Sequence, residues 1–140
     1  MIRHALPLTI AWGDCDPFGL VYYPAMFTWF NEVEHDLLRR IGFGTRRLIE
    51  DRQTAFVMGE VQLRFTGPAS YGAEIISEIR LAKIGGASVD WAVRAFHKDT
   101  EAPICEGLFT RIHARTLPDG GFKAQPIPEE IRQAFQKDSP

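Results

Sequence analysis

Apolar residues recur along this chain with two periods, and the places where the period changes mark its elements. Leu8-Thr9-Ile10-Ala11-Trp12 alternates and reads as a short first strand. From Pro24 the spacing lengthens. Phe27, Phe30, Val33, Leu37 and Ile41 recur every three or four residues, which makes the apolar stripe of a helix. Trp29 and Leu38 widen that stripe, so a deeply buried helix is expected. Pro24 suits a first helical position, where its missing N–H would be unpaired anyway. Arg39 and Arg40 favour a last turn, and Gly42 is a natural stop. Residues 44–54 read as a connector with a short helical turn.

Beyond the connector the period is two. Val61, Leu63 and Phe65 oppose Glu60, Gln62 and Arg64; Ile75, Ile79 and Leu81 oppose Glu74, Glu78 and Arg80. Gly67-Pro68 ends the first of these strands, and Gly85-Gly86 signals a hairpin after the second. Val89, Trp91, Val93 and Ala95 alternate with Ser88, Asp90 and Arg94, and Ile104, Leu108 and Ile112 line a last long strand. Pro118-Asp119-Gly120-Gly121 is a turn, and Glu129 to Lys137 reads as a short, polar, peripheral helix. The order is strand, long helix, then four strands. It predicts an α+β domain in which an antiparallel sheet of five strands wraps round the helix. One domain is expected over residues 1–140, with a core at about 8–116 and a C-terminal extension.

Composition narrows the function classes. The 140 residues are 45% hydrophobic and 24% charged, an ordinary globular balance. Sixteen basic against eighteen acidic side chains leave a net charge of −2. That is not the one-signed field of a nucleic-acid binder. No apolar run approaches the ~20 residues of a membrane span, and Met1-Ile2-Arg3-His4-Ala5 lacks the apolar stretch of a secretory leader. The cysteines Cys15 and Cys105 point to a reducing, cytoplasmic setting. Motif searches remove more. There is no G-x-S-x-G elbow and no G-x-x-x-x-G-K-[ST] phosphate loop. His4, His35, His97 and His113 lack metal-ligand spacing, so no metal is expected.

What remains is Gly13-Asp14-Cys15-Asp16-Pro17-Phe18-Gly19-Leu20-Val21-Tyr22-Tyr23-Pro24, two carboxylates directly before a helix. Two readings stand side by side. Aspartates are common in turns because they bond nearby backbone N–H groups. Equally, unpaired amides at a helix start hold developing negative charge, and a carboxylate beside them can attack an acyl carbonyl or deprotonate water.

This segment closely resembles the signature of the 4-hydroxybenzoyl-CoA thioesterase family. Leu63-Arg64-Phe65 followed by Pro68-Ala69-Ser70-Tyr71-Gly72-Ala73-Glu74 is similar to its second strand and turn. The resemblance spans roughly residues 8–116 and implies a hotdog fold. It implies a homodimer with active sites at the subunit interface, often paired again into a tetramer, that hydrolyses acyl-CoA thioesters without a metal or other cofactor. By that resemblance Asp16 is the catalytic carboxylate, as nucleophile or as general base. The backbone N–H of Tyr23 polarises the carbonyl, since Pro24 has none. Gly19, Tyr22, Phe56 and Met58 fall at substrate-binding positions, core packing being an equal reading for Phe56 and Met58. Aromatic or short-chain acyl groups are both compatible, with Phe18 and Phe56 as apolar walls.

The other residues are read more plainly. Asp14 is expected to bond backbone and Cys15 to pack. Glu34 is expected to be a solvated or salt-bridged helix residue, although a carboxylate on that helix is catalytic in another thioesterase branch. The family's basic cluster for CoA phosphates is reduced here to Lys83 in Lys83-Ile84-Gly85-Gly86, leaving Arg64, Arg80 and Arg111 as substitutes. Two rival functions use the same fold: a non-catalytic acyl-CoA binding or sensing module, and a dehydratase. The dehydratase needs an Asp/His pair, and His35 and His97 do not follow its pattern.

Overall fold

The computed structural model describes residues 1–137. In chain order the elements are β1 (Arg3–Thr9), a short 3-10 turn (Trp12–Asp14), α1 (Tyr23–Arg40), α2 (Thr45–Arg52), β2 (Thr54–Phe65), β3 (Glu74–Ile84), β4 (Ser88–His97), β5 (Pro103–Thr116), β6 (Phe122–Ala124) and α3 (Glu129–Gln136). The sheet runs β1-β3-β4-β5-β2, every pair antiparallel, and β6 adds to the far end of β5. It therefore has six strands where the periodicity predicts five. The three-residue β6 is too short to show alternation.

One face of this sheet is apolar and holds α1. Met26, Trp29, Phe30, Val33, Leu37 and Leu38 of the helix join Ile75, Ile79, Leu81, Trp91, Val93 and Ile104 of the strands in one core. Phe27 and Ile41, placed on the stripe by spacing, are only partly buried at its margin. The helix is also tethered electrostatically to the edge strand. Asp36 accepts from His4 at 2.6 Å and from Arg40 at 2.7 Å. The Arg40 guanidinium, with His4, holds the Asp36 carboxyl down at about 2.

Three boundaries differ from the sequence reading. The first strand is Arg3–Thr9, not 8–12. Its inward side continues upstream through Ile2, His4, Leu6 and Leu8, and the polar His4, turned in to meet Asp36, hides the alternation. Trp12 leaves the strand for the 3-10 turn and is exposed. The second strand begins at Thr54, where the connector was expected to end, although its alternation reads only from Glu60. A register shift between Met58 and Glu60 interrupts its period at Gly59, as a bulge does.

The third correction concerns α3, which is not peripheral. Ile127, Ile131 and Phe135 recur every four residues and are all buried, although most of the helix is polar. Phe135 packs edge-on against Trp91, with ring centroids 5.4 Å apart, and lies 5.7 Å from Phe56. Ile2 N–H bonds the Phe135 carbonyl at 3.3 Å, so the two ends of the chain meet there.

Phe135→Ala therefore opens a cavity in the core rather than trimming a surface helix. Its unfolding free energy is expected to fall by about 3–5 kcal/mol, measured by denaturant titration. A loss below about 0.5 kcal/mol, usual for a surface change, would restore α3 to the periphery.

Candidate active site

Between Cys15 and Val21 the chain reverses on itself. Asp16 N–H bonds Leu20 O at 2.7 Å, Gly19 N–H bonds Asp16 O at 2.9 Å, and Cys15 and Val21 form an antiparallel bridge. Gly19 takes φ +79°, a left-handed conformation that suits glycine. The Asp16 carboxylate closes the turn as well. Its Oδ1 accepts from Phe18 N–H at 2.8 Å and Leu20 N–H at 3.2 Å. The turn reading of this residue is thus satisfied by one oxygen. Among the described residues Oδ2 has no bond, and the side chain is half-buried.

Backbone bonds fix this lobe to its surroundings. Tyr22 N–H donates to Asp14 O at 2.7 Å and Val21 N–H to Ala69 O at 2.9 Å. Asp14 Oδ2 accepts from Ala11 N–H at 3.3 Å, so that carboxylate is spent in the turn. The chain then enters α1 through Tyr22, which makes no side-chain cap. Of the first amides, Pro24 has none and Ala25 N–H bonds Tyr22 O at 3.0 Å. Among the described residues Tyr23 N–H has no partner, at the positive end of an 18-residue helix.

Asp16 and Tyr23 line one cleft of about 320 Å³, together with Leu20, Val21, Tyr22, Met26, Phe65 and residues 67–69. Its far wall depends on Gly67, where a Cβ would lie 2.2 Å from Pro103 O. Only glycine lets the chain pass there. The mouth is apolar and open: Tyr22, Tyr23 and Phe65 are exposed, and Tyr23 stacks at 5.3 Å on Tyr22 and 6.2 Å on Phe65. Phe18, at the tip of the lobe, is 88% exposed and is not part of this wall.

A family model described as the Thioesterase-like superfamily matches residues 10–135. The chain belongs to that superfamily. It is 23% identical over 137 residues to acyl-CoA thioesterase YbgC of Haemophilus influenzae, covering 94% of this chain and 93% of that one. Among solved structures it resembles the 4-hydroxybenzoyl-CoA thioesterase of Pseudomonas sp. strain CBS-3, with a TM-score of 0.82, 19% identity and coverage of 94% and 98%. It also resembles a gentisyl-coenzyme A thioesterase, with a TM-score of 0.80, 25% identity and coverage of 94% and 98%. The hotdog fold and the thioester-hydrolase class implied by the Gly13–Pro24 segment agree with all three.

The remaining expected site residues are distributed unevenly. Gly19 shapes the turn and is not among the residues lining the cleft. Phe56 is half-buried against the core, packed on His113 at 5.1 Å and on Phe135 at 5.7 Å, and does not line this cleft. Met58 is exposed on edge strand β2, outside the cleft of its own chain. The sequence reading missed Met26 and the 67–69 wall. The Pro68-Ala69-Ser70 stretch, read only as a turn, was the available signal.

Two charged residues are corrected. Glu34 is salt-bridged but not solvated: it is 4% exposed. Arg111, a candidate for CoA phosphate, is 8% exposed and committed inward. Its Nε donates to Glu34 Oε2 at 3.1 Å, and its Nη2 reaches Glu34 Oε1 at 2.7 Å and Asn31 Oδ1 at 2.7 Å. Burial pushes the Glu34 carboxyl above its ordinary range, and Arg111 opposes that rise. Of the other candidates, Arg64 pairs with Glu106 and Arg80 is exposed on the outer sheet face. The thiol of Cys105 is buried and pushed up to about 12, which makes it inert.

Arg111→Met would leave the Glu34 charge buried and alone. A loss of about 3–5 kcal/mol is expected at neutral pH. The raised folded-state pKa sets the sign: the buried carboxyl protonates above 4.5, the ordinary glutamate value that the unfolded chain keeps, so the loss shrinks as pH falls and is gone once pH is below 4.5. Combining it with Glu34→Gln should recover most of the stability at pH 7, read by thermal and denaturant melts.

Proposed function

We propose that this protein is an acyl-CoA thioesterase, with Asp16 as its catalytic carboxylate and the Tyr23 amide as its carbonyl-polarising donor. The observation that carries the reading is their shared cleft: an unbonded carboxylate oxygen and an unpartnered helix-start amide line the same wall. The thioester carbonyl rests against the Tyr23 N–H. As the tetrahedral intermediate forms, its oxygen gains negative charge, and an oriented amide at a helix terminus stabilises that charge by up to about 3–4 kcal/mol. Asp16 Oδ2 either attacks the acyl carbon, giving a mixed anhydride that water opens, or draws a proton from the attacking water. CoA leaves as a thiolate, so a strong general acid is not required. These steps call on no metal or cofactor.

The acyl group is aromatic or short. The ring-lined mouth of Tyr22, Tyr23 and Phe65 and the small volume of the cleft favour both over a long chain. The working unit is a homodimer, paired again into a tetramer. Strand β2 is an open edge of 12 residues that ends at the cleft in Phe65, and an edge of that length calls for a partner. Pairing there brings Met58 of a second copy toward the acyl group and closes the mouth. The free cysteines accord with a cytoplasmic setting. No described helix is long and apolar enough to cross a membrane.

A panel of benzoyl-, hydroxybenzoyl-, phenylacetyl- and short-chain CoA esters tests the activity, and two substitutions test the site. Asp16→Asn keeps a carbonyl oxygen for the Phe18 and Leu20 amides, so the turn persists while kcat should fall by ~10²–10⁴-fold. Tyr23→Pro deletes the amide at a helix position that tolerates proline. It should cost ~10²–10³-fold in kcat, whereas Tyr23→Ala keeps the amide and should cost far less. Undiminished turnover in Asp16→Asn would remove that residue from the chemistry. Binding of CoA esters without turnover by the wild type would favour the sensing module.

A further inference from the structure

Helix α1 contributes seven buried residues to the core, and Glu34 is the only polar one among them. The other six, Met26, Trp29, Phe30, Val33, Leu37 and Leu38, make apolar contacts. Such contacts fix distance well and rotation or sliding poorly, because the hydrophobic effect is not directional. Glu34 differs. Both its oxygens are held by Arg111, and the same guanidinium holds Asn31 one turn earlier. The fork of Arg111 thus ties two successive turns of α1 to the inner face of β5. A planar bidentate pair admits one orientation.

Glu34 lies 11 residues beyond Tyr23, about 16 Å along a rigid helix. The Asp16 lobe is fixed by the Val21 N–H bond to Ala69 O and meets the start of α1 through the Tyr22 N–H bond to Asp14 O. Those bonds fix where the helix begins but not the direction in which it runs or its rotation about its axis. The aim of the Tyr23 amide relative to the Asp16 carboxylate therefore depends on how α1 sits on the sheet.

We propose that Arg111 is a positioning residue for thioester hydrolysis: by gripping Glu34 and Asn31 it sets the rotation and axial position of α1, and so the aim of the Tyr23 amide at the substrate carbonyl. This inference rests on the catalytic reading of Asp16 and Tyr23. The pair never touches the substrate. Its contribution is geometric, and a displacement of about 1 Å at the reacting atoms costs on the order of 100-fold in rate. The fold does not need the charges for stability, because a buried ion pair can be exchanged for neutral residues at little or no cost. Positioning and stability are therefore separable by experiment.

The decisive variant is Glu34→Gln combined with Arg111→Met, which removes both charges while keeping side chains of similar length at both positions. It should melt close to the wild type while kcat falls by ~10–100-fold and KM for the CoA ester stays within about twofold, since uniform binding is untouched. Arg111→Lys provides a second measurement. It keeps a cation beside Glu34 and loses the fork that reaches Asn31, so it should fold normally and still lose turnover. Either variant with wild-type kcat overturns the proposal, as does a fall in kcat only in proportion to the fraction of folded protein. A wild-type enzyme inactive on every CoA ester instead overturns the catalytic reading on which it stands.

Discussion

The active cleft depends on one constraint: the chain must reverse tightly after Cys15 and still enter α1 with its first amide unspent. The bonds that close the reversal, Asp16 to Leu20 and Gly19 to Asp16, and those that anchor it, Tyr22 to Asp14 and Val21 to Ala69, all run backbone to backbone. They hold whatever side chains occupy positions 18, 20 and 22. Those positions are consequently free to form an apolar mouth, and Phe18, Leu20 and Tyr22 are all exposed. Had a serine or aspartate capped the helix, as most helices prefer, the first-turn amides would have gained an internal acceptor in competition with substrate. Tyr22 at that position forgoes cap energy of about 1 kcal/mol. The charge-stabilising end of the helix stays open.

On the proposed reading the Asp16 carboxylate has two functions, divided between its oxygens. Oδ1 is the acceptor of an Asx turn, and Oδ2 is the oxygen left over. The turn and catalytic readings of Asp16 are therefore compatible. The two amide bonds restrict the side chain to one orientation, which a reactive group requires and a freely rotating surface aspartate lacks. Asp14 has no such oxygen in the cleft: its carboxylate serves Ala11 and its carbonyl serves Tyr22.

Much of this was legible in the sequence because most elements obey one period. The long helix, the β3–β4 hairpin at Gly85-Gly86 and the alternation of β4 are continuous patterns, and the structure places them where spacing predicts; in β5 Ile104 is buried as expected, but beyond it Phe109, Arg111 and His113 turn inward in place of the expected Leu108 and Ile112. The failures share a physical cause, a polar residue or irregularity inside an otherwise regular face. His4 points inward to meet Asp36 and obscures β1. The shift at Gly59 breaks the parity of β2, so only its second half reads as a strand. In α3 only Ile131 and Phe135 are buried, and polar residues outnumber them. At the site, local motif residues were readable, but long-range ones were not. The Glu34–Arg111 pair joins positions 77 residues apart, and no local pattern announces that a helix glutamate and a strand arginine will meet. Phe56 lies between the two readings offered for it: it is half-buried, with its ring against Phe135 of a helix expected on the surface.

The two edges of the sheet are unlike, and that difference bears on how the cleft works. Edge strand β1 carries Pro7, which cannot donate to a new strand. Edge strand β2 has 12 residues, no proline, and a single irregularity at Gly59. Phe65 ends β2 and also lines the cleft, with its ring 6.2 Å from that of Tyr23. The open edge and the apolar mouth are therefore continuous, and the proposed pairing of two copies along β2 would cover both at once. An amide exposed to water does little for a developing oxyanion, because bulk solvent screens it and competes for the same charge. Once the mouth is enclosed, the same N–H acts in a medium of low dielectric, where its effect on the transition state is several-fold larger. On this argument the second copy contributes more than adhesion: it supplies the dry surroundings in which the Tyr23 amide stabilises charge.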